Sequence, residues 1–304
     1  MKINTRKGAI MDTIRLKALA KINISLDILG KLENGYHELL MVMQSINLHD
    51  TVIIKRTIDS TIKLSTNKMW LPTNHKNIAY KAAQLFFKET STDGGAYIDI
   101  LKRIPISAGL GGGSADAAAV LVGLNKLYKT HLTKKELMTI GVQVGADVPF
   151  CILRGTALAE GIGEKLTILP PIPQTHILLA KPNVNVSTKS VFREIVVDSI
   201  KEHPDTAKIL LGINTHNKKL IYDNMYNVLE TVTTARHPKI LNLKQEMLSC
   251  GAINSLMSGS GPTVFGVFNN KETCILASEH IKSRFNLKEV FVTTTYLPNT
   301  RKEK

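Results

Sequence analysis

Four glycines within five positions, Gly109, Gly111, Gly112 and Gly113, stand directly before a stretch that reads as helix, in IPISAGLGGGSADAAAVLVGLNKLY, residues 104–128. Glycine has no side chain to block close approach, so successive backbone N–H groups can curl round an anion, and a helix starting there adds the positive end of its dipole. The chemistry this permits is phosphate binding. A strand-to-helix connection whose glycines only make a tight turn is the plainer alternative, but it leaves the number of glycines and the Ser114 that follows them without a purpose. Two common phosphate loops fail on their own requirements. A Walker loop ends in Gly-Lys-Ser/Thr, and the lysine is missing. A dinucleotide-binding turn calls for an acidic residue about twenty positions on, at a second strand, where this chain reads KTHLTKKE between helices.

Such a loop has to be held by the elements around it. Ile22, Ile24, Leu26 and Ile28 alternate, which predicts a strand with those four on one face. TVIIKR and TIKLST read as further strands; residues 77–88 change to helical spacing through Ile78, Ala82, Leu85 and Phe86, and AYIDILKRI returns to strand. The helix behind the glycines carries Ala117, Val120, Leu121, Leu124 and Leu127 on one apolar face. The next helix, TKKELMTIGVQVG, opens at Thr133 with Glu136 three residues on, the spacing of a capping box, and ends at Gly145. GTALAEGIGEKLTIL reads as two short strands about a glycine turn and HILLAKP as another, with Pro170, Pro171 and Pro173 marking a seam between them. The predicted domains are therefore 1–170 and 171–304. Helical stretches at 236–249 and 272–285, with strands inside INSLMSGSGPTVFGVF and EVFVTTTY, complete a mixture that predicts an α+β fold.

A chain of 304 residues is long enough for two domains, and 43% hydrophobic with 21% charged residues is the composition of a folded protein. The formal charge of +14 fits an anionic ligand. Its basic residues are dispersed, with no long Lys/Arg run and little basic-aromatic interleaving, which argues for phosphate attraction over a nucleic-acid footprint. Cys151, Cys250 and Cys274 lie far apart, without the spacing of a zinc motif or the even count of a disulfide framework, as expected in a reducing cytoplasm. The basic N-terminal stretch is broken by polar residues and does not read as a signal peptide, and no run reaches membrane-spanning length. Met11 is a candidate start, since residues 1–10 show no strong periodicity.

With the loop and its surroundings in view, PISAGLGGGSADAAA resembles the ATP-binding motif of the GHMP kinase superfamily. AKINISLDILGKLENGYHEL, VGADVPF and AEGIGEKL narrow the resemblance to the branch that phosphorylates 4-diphosphocytidyl-2-C-methyl-D-erythritol, a precursor in the non-mevalonate route to isoprenoids, and LMSGSGPTVFGVF matches the C-terminal glycine motif. The match runs in order over residues 14–296, with nothing alignable at 199–222. It implies a two-domain kinase fold, an N-terminal domain like domain 2 of ribosomal protein S5 and a ferredoxin-like C-terminal domain. The implied reaction carries the γ-phosphoryl group of ATP to the 2-hydroxyl of the substrate.

The resemblance also implies roles. Phosphoryl transfer needs a hydroxyl made more nucleophilic and neutralised charge on the moving group. Asp147 occupies the catalytic aspartate position as general base and Lys21 that of its lysine partner. Taken singly, Asp147 reads equally as a helix-terminating turn residue and Lys21 as a strand-end surface charge. The ATP loop is Pro105, Ile106, Ser107, Ala108, Gly109, Leu110, Gly111, Gly112, Gly113, Ser114 and Ala115, and Asn77 and Lys102 match positions near the adenosine. Mg²⁺ is expected among the phosphate oxygens, with Ser114 a candidate contact. Tyr36 and His37 match the nucleobase-recognition pair and Phe192 a second stacking ring, although Tyr36 and Phe192 also suit core packing and His37 a turn. Asn23 matches a position that touches the methylerythritol hydroxyls and Thr188 one close to the substrate. Gly259, Ser260 and Gly261 are expected to bring a tight turn up to the cleft. The partners implied are ATP and a cytidylyl diphosphate sugar alcohol, bound by a cytoplasmic monomer or homodimer with no nucleic-acid or membrane partner. Another member of the superfamily, such as a homoserine or mevalonate kinase, is the nearest rival, and GYHEL has no evident purpose there.

Overall fold

The computed structural model describes residues 13–298, so the expectation about Met11 lies outside the described residues. The chain opens with two long antiparallel strands, β1 (Thr13–Lys31) and β2 (His37–Thr57). Then follow β3 (Ile62–Thr66), α1 (Ile78–Thr90), β4 (Gly95–Leu101), α2 (Gly112–Tyr128), α3 (Lys134–Val144), α4 (Val148–Leu153), β5 (Thr156–Gly161) and β6 (Lys165–Ile168). One sheet runs β3-β4-β2-β1, and β5 joins the Leu39–Gln44 part of β2 and pairs with β6. Asn77 and Thr133 cap α1 and α3 as their types predict, Thr133 in a reciprocal capping box with Glu136.

In two places the structure departs from the periodicity of the sequence. Ile22, Ile24, Leu26 and Ile28 do not share one face: the pairing of β1 with β2 shifts register between Asn23 and Ser25, a bulge that breaks the alternation. Ile22 and Ile24 enter the core under α1–α4, while Leu26 and Ile28 join a second core. Nor does α2 bury only a stripe, since every residue from Ala115 to Leu121 is buried. Its four alanines, Ala115, Ala117, Ala118 and Ala119, let neighbouring elements approach on several sides.

The second half builds its own sheet. Its elements are β7 (His176–Lys181), α5 (Thr188–Glu194), α6 (Thr206–Asn214), α7 (Lys218–Asp223), β8 (Tyr226–Asn227), α8 (Glu230–Arg236), α9 (Pro238–Ser249), β9 (Asn254–Met257), β10 (Val264–Phe268), α10 (Lys271–Arg284) and β11 (Glu289–Thr294). β11-β7-β10-β9 is antiparallel throughout. With helices between β7 and β9 and between β10 and β11, this is the βαββαβ order of a ferredoxin-like sheet. The unaligned stretch 199–222 contains α6 and most of α7. Among the described residues no helix is long and apolar enough to cross a membrane.

The halves are laced together. β8 leaves the second half to pair in parallel with Ser25 and Leu26 of β1, and the segment after β11 returns to β2 through the Ile46–Thr295 bridge and Gln44 Nε2 donating to Tyr296 O at 3.1 Å.

Candidate active site

The glycine loop lies between β4 and α2, on one wall of a cleft of about 670 Å³, a size suited to small ligands. Gly111 is the N-cap of α2 in left-handed backbone and offers no side chain to the first turn, so the N–H groups opening α2 have no side-chain cap. That is the arrangement an anion fills. Gly109 and Gly111 have φ of +75° and +66°, and space as well as angle demands glycine: a Cβ on Gly109 would stand 2.0 Å from the carbonyl oxygen of Ser258, and one on Gly111 2.9 Å from Lys21 Cγ. Pro105 to Ser114 all line the cleft, while Ala115 turns into the core at 2% exposure.

Lys21 sits inside β1, only 5% exposed, so the strand-end surface reading does not hold. Its backbone N–H donates to Leu110 O at 3.0 Å, tying the strand to the loop. Its Nζ donates to Asn23 Oδ1 at 2.8 Å and lies 3.5 Å from Asp147 Oδ2. Asp147 does not end α3, which closes at Gly145; it is the N-cap residue of α4, with no side-chain cap bond. Its carboxylate is one-third exposed and faces the cleft. A partly solvated carboxylate held beside a buried ammonium, next to a helix start without a side-chain cap, has the geometry to accept a proton with charge stabilisation at hand.

Lys102 lies deeper. Its ammonium is hydrogen-bonded to Asp50 and, at 2.6 Å, to Asp116, and all three side chains are buried. Asp50 also accepts from the backbone N–H groups of Arg103 and, at 2.7 Å, Ile104, the residues that lead into the loop. Burial pulls the Lys102 pKa down, but the carboxylates of Asp116 and Asp50 outweigh it and the net shift is upward. Asp116 is pushed up to about 8, by burial first and against the pull of Lys102, with Asp50 adding to the rise. Its Oδ1 is buried without a hydrogen-bond partner. Asp50 and Asp116 escape sequence reasoning, because the lysine and the two acids are joined only by folding. Asn77 lines the same wall, with its side chain engaged in capping: Oδ1 accepts from Ala79 N at 2.9 Å and Nδ2 donates to Pro72 O at 2.8 Å.

The opposite wall comes from the second half. Thr188 and Phe192 on α5 line it with Gly259 and Ser260, and the hydroxyls of Thr188 and Ser260 are 2.8 Å apart. Ser258 Oγ donates to Gly109 O at 3.0 Å, joining the two glycine turns. Asn227 of β8 fixes the second turn by donating from Nδ2 to Met257 O and Gly259 O, both at 2.8 Å. His37 meets the Phe192 ring with centroids 5.5 Å apart, and its pKa is lowered by burial and then by Lys31. Tyr36 is 60% exposed in the turn before β2; neither it nor His37 lines the cleft, and His37 meets the site through the Phe192 ring, which does.

Family models for the GHMP kinases N terminal domain and the GHMP kinases C terminal domain match residues 77–155 and 209–286. A relative in Lachnospira eligens, named 4-diphosphocytidyl-2-C-methyl-D-erythritol kinase, is 47% identical over 95% of this chain and 100% of its own length. One of the same name in Acetivibrio thermocellus is 50% identical over 94% and 100%. The crystal structure of a 4-(cytidine 5'-diphospho)-2C-methyl-D-erythritol kinase superposes with a TM-score of 0.80 at 29% identity, covering 94% of this chain and all of that one. A homoserine kinase from Cytophaga hutchinsonii shares the fold at a TM-score of 0.75 and 19% identity, covering 97% and 98%.

Proposed function

The chain belongs to the 4-diphosphocytidyl-2-C-methyl-D-erythritol kinases of the GHMP kinase family, and from that premise we propose how its residues divide the work. The fold is the two-domain α+β kinase fold of that family, and the protein is an ATP-dependent kinase of isoprenoid precursor synthesis. We take the domain boundary at 170/171, in the proline-marked passage between β6 and β7.

Asp147 takes the proton of the attacking 2-hydroxyl, and Lys21 stabilises the negative charge that builds on the transferred phosphoryl group. The observation that carries this reading is the 3.5 Å approach of Lys21 Nζ to Asp147 Oδ2 beside the open start of α2. Asn23 accepts from the lysine ammonium through Oδ1 and donates from Nδ2 to Met41 Sδ at 3.3 Å, and from this position on the cleft lining it lies beside the acceptor hydroxyls. The γ-phosphate lies at the N–H groups of Gly112, Gly113 and Ser114, and the nucleoside extends along the wall of Leu71, Pro72 and Asn77. Oxygen donors suit Mg²⁺, and those the cleft presents include the Ser114 hydroxyl and the Asp147 carboxylate. They would hold an ion carried in mainly by the phosphates, where it neutralises charge on the transferred group. At the far end, His37 and Phe192 part to admit the cytosine ring, with Tyr36 closing from the exposed turn, and Thr188 lies beside the substrate. The enzyme works in the cytoplasm.

The test is ADP release with Mg-ATP and four acceptors, the cytidylyl substrate, homoserine, mevalonate and galactose, in the parent and in Asp147→Asn. Turnover on the cytidylyl substrate alone is expected, lowered roughly 10²- to 10⁴-fold in the variant. An Asp147→Asn turnover within threefold of the parent removes that residue from the role of base.

A further inference from the structure

Away from the cleft, α9 and α10 pack side by side on the second sheet, burying Leu243 and Met247 of one and Ala277 and Ile281 of the other. Between their outer faces, Glu246, Cys250 and His280 converge, with one ligand atom of each within 4.8 Å of the others. Glu246 and Cys250 are one helical turn apart, and Cys250 N donates to Glu246 O at 3.0 Å, which fixes their spacing. Glu246 Oε1 is 2.6 Å from His280 Nε2, and Arg284, one turn beyond His280, holds Oε2 through Nε at 2.9 Å. The Glu246–His280–Arg284 contacts alone would be a surface ion-pair network in which the half-buried thiol has no part.

We propose that Glu246, Cys250 and His280 form a binding site for Zn²⁺, joining α9 to α10. Thiolate sulphur, imidazole nitrogen and carboxylate oxygen are the donors zinc takes in tetrahedral sites, with water in the fourth position, whereas Mg²⁺ takes oxygen donors. The Cys250 thiol gives its proton to solvent as the Zn–S bond forms, and the Glu246–His280 hydrogen bond gives way to Zn–O and Zn–N bonds. His280 then ligates through Nε2 with its proton on Nδ1. Arg284 remains on Oε2, an outer partner that orients the carboxylate and leaves Oε1 to the ion. None of the three ligands lines the cleft.

Titration of the metal-free full chain with Co²⁺ as a spectroscopic probe, and then with Zn²⁺, tests this. One equivalent of Co²⁺ per chain is expected to give a thiolate-to-metal absorption band that Zn²⁺ displaces. Cys250→Ser is expected to abolish the band, and His280→Ala to weaken affinity by roughly tenfold or more. One equivalent of Zn²⁺ is expected to raise the unfolding temperature of the parent and not of Cys250→Ser. Absence of a thiolate band in the parent, a band that persists in Cys250→Ser, or zinc affinity unchanged in both variants overturns the site. Both variants keep the helix interiors that face the sheet, so parent-like circular dichroism is expected, and ADP release at the parent rate is a second check on their folding.

Discussion

At Asp116 the chain buries a carboxylate that a single lysine, already shared with Asp50, does not fully compensate. Its pKa is pushed up to about 8 by burial, so between roughly pH 4 and 8 the folded protein holds a proton that the unfolded chain has released. Stability therefore falls with rising pH across that window, and the loss from this group is complete above pH 8. Asp116→Asn removes the proton exchange, so the stability difference, variant minus parent, should rise from pH 5 to pH 8; urea unfolding at each pH measures it, and parallel profiles would refute the assignment. His37 makes the opposite use of burial, which lowers its pKa and keeps the imidazole neutral, one nitrogen donating and the other accepting. A neutral ring suits the polar edge of cytosine. His37→Ala is expected to raise the apparent KM of the cytidylyl substrate roughly tenfold, the worth of about one hydrogen bond, with the KM of ATP within about twofold of the parent. An equal rise in both would remove the nucleobase role.

The glycine loop acts as an element because its glycines serve different neighbours. Gly111 makes room for Lys21, whereas Gly109 makes room for the second domain. Gly109→Ala should therefore cost more than the roughly 1–2 kcal/mol of left-handed strain, since the added methyl meets the Ser258 backbone and cannot be accommodated by a rotamer change. Gly30→Ala is the control, with nothing within 4 Å of its Cβ and no positive φ, and is expected within about 0.5 kcal/mol of the parent. Denaturant midpoints compare the two, and the KM of ATP should rise only for Gly109→Ala. Equal midpoints would mean that the loop does not depend on contact with the Ser258 turn.

For the whole molecule, the cleft exists only because the two halves are joined, one carrying Lys21 and the other the Gly259 turn. Asn227 is the buried link, on a two-residue strand paired with β1 and bonded to the carbonyls of Met257 and Gly259. Asn227→Ala leaves both carbonyls unpaired, at about 1–3 kcal/mol each, and should lower the unfolding temperature and turnover together while Asp147 and Lys21 stay intact. A variant that loses stability but keeps parent kinetics would show that the turn is set by other contacts. Much of this arrangement is legible in the chain order. The glycine turn that opens α2, the capped start of α3, the β5–β6 hairpin and the α+β class follow from turn chemistry and periodicity among neighbouring residues, which act locally wherever the segment ends up. Lys21 and Asp147 were marked by the motifs around them, but their approach to 3.5 Å is a tertiary fact. Tertiary structure alone decided that a bulge splits the apolar face of β1, that Tyr36 and His37 stand outside the cleft lining, and that a two-residue β8 crosses to the first sheet. It also gathered Asp50 of β2, Asp116 of α2 and Lys102 of the segment after β4 into one cluster. No local pattern encodes these, because each depends on the register and packing of segments far apart in sequence, and burial sets the charge of a side chain only once its neighbours have arrived.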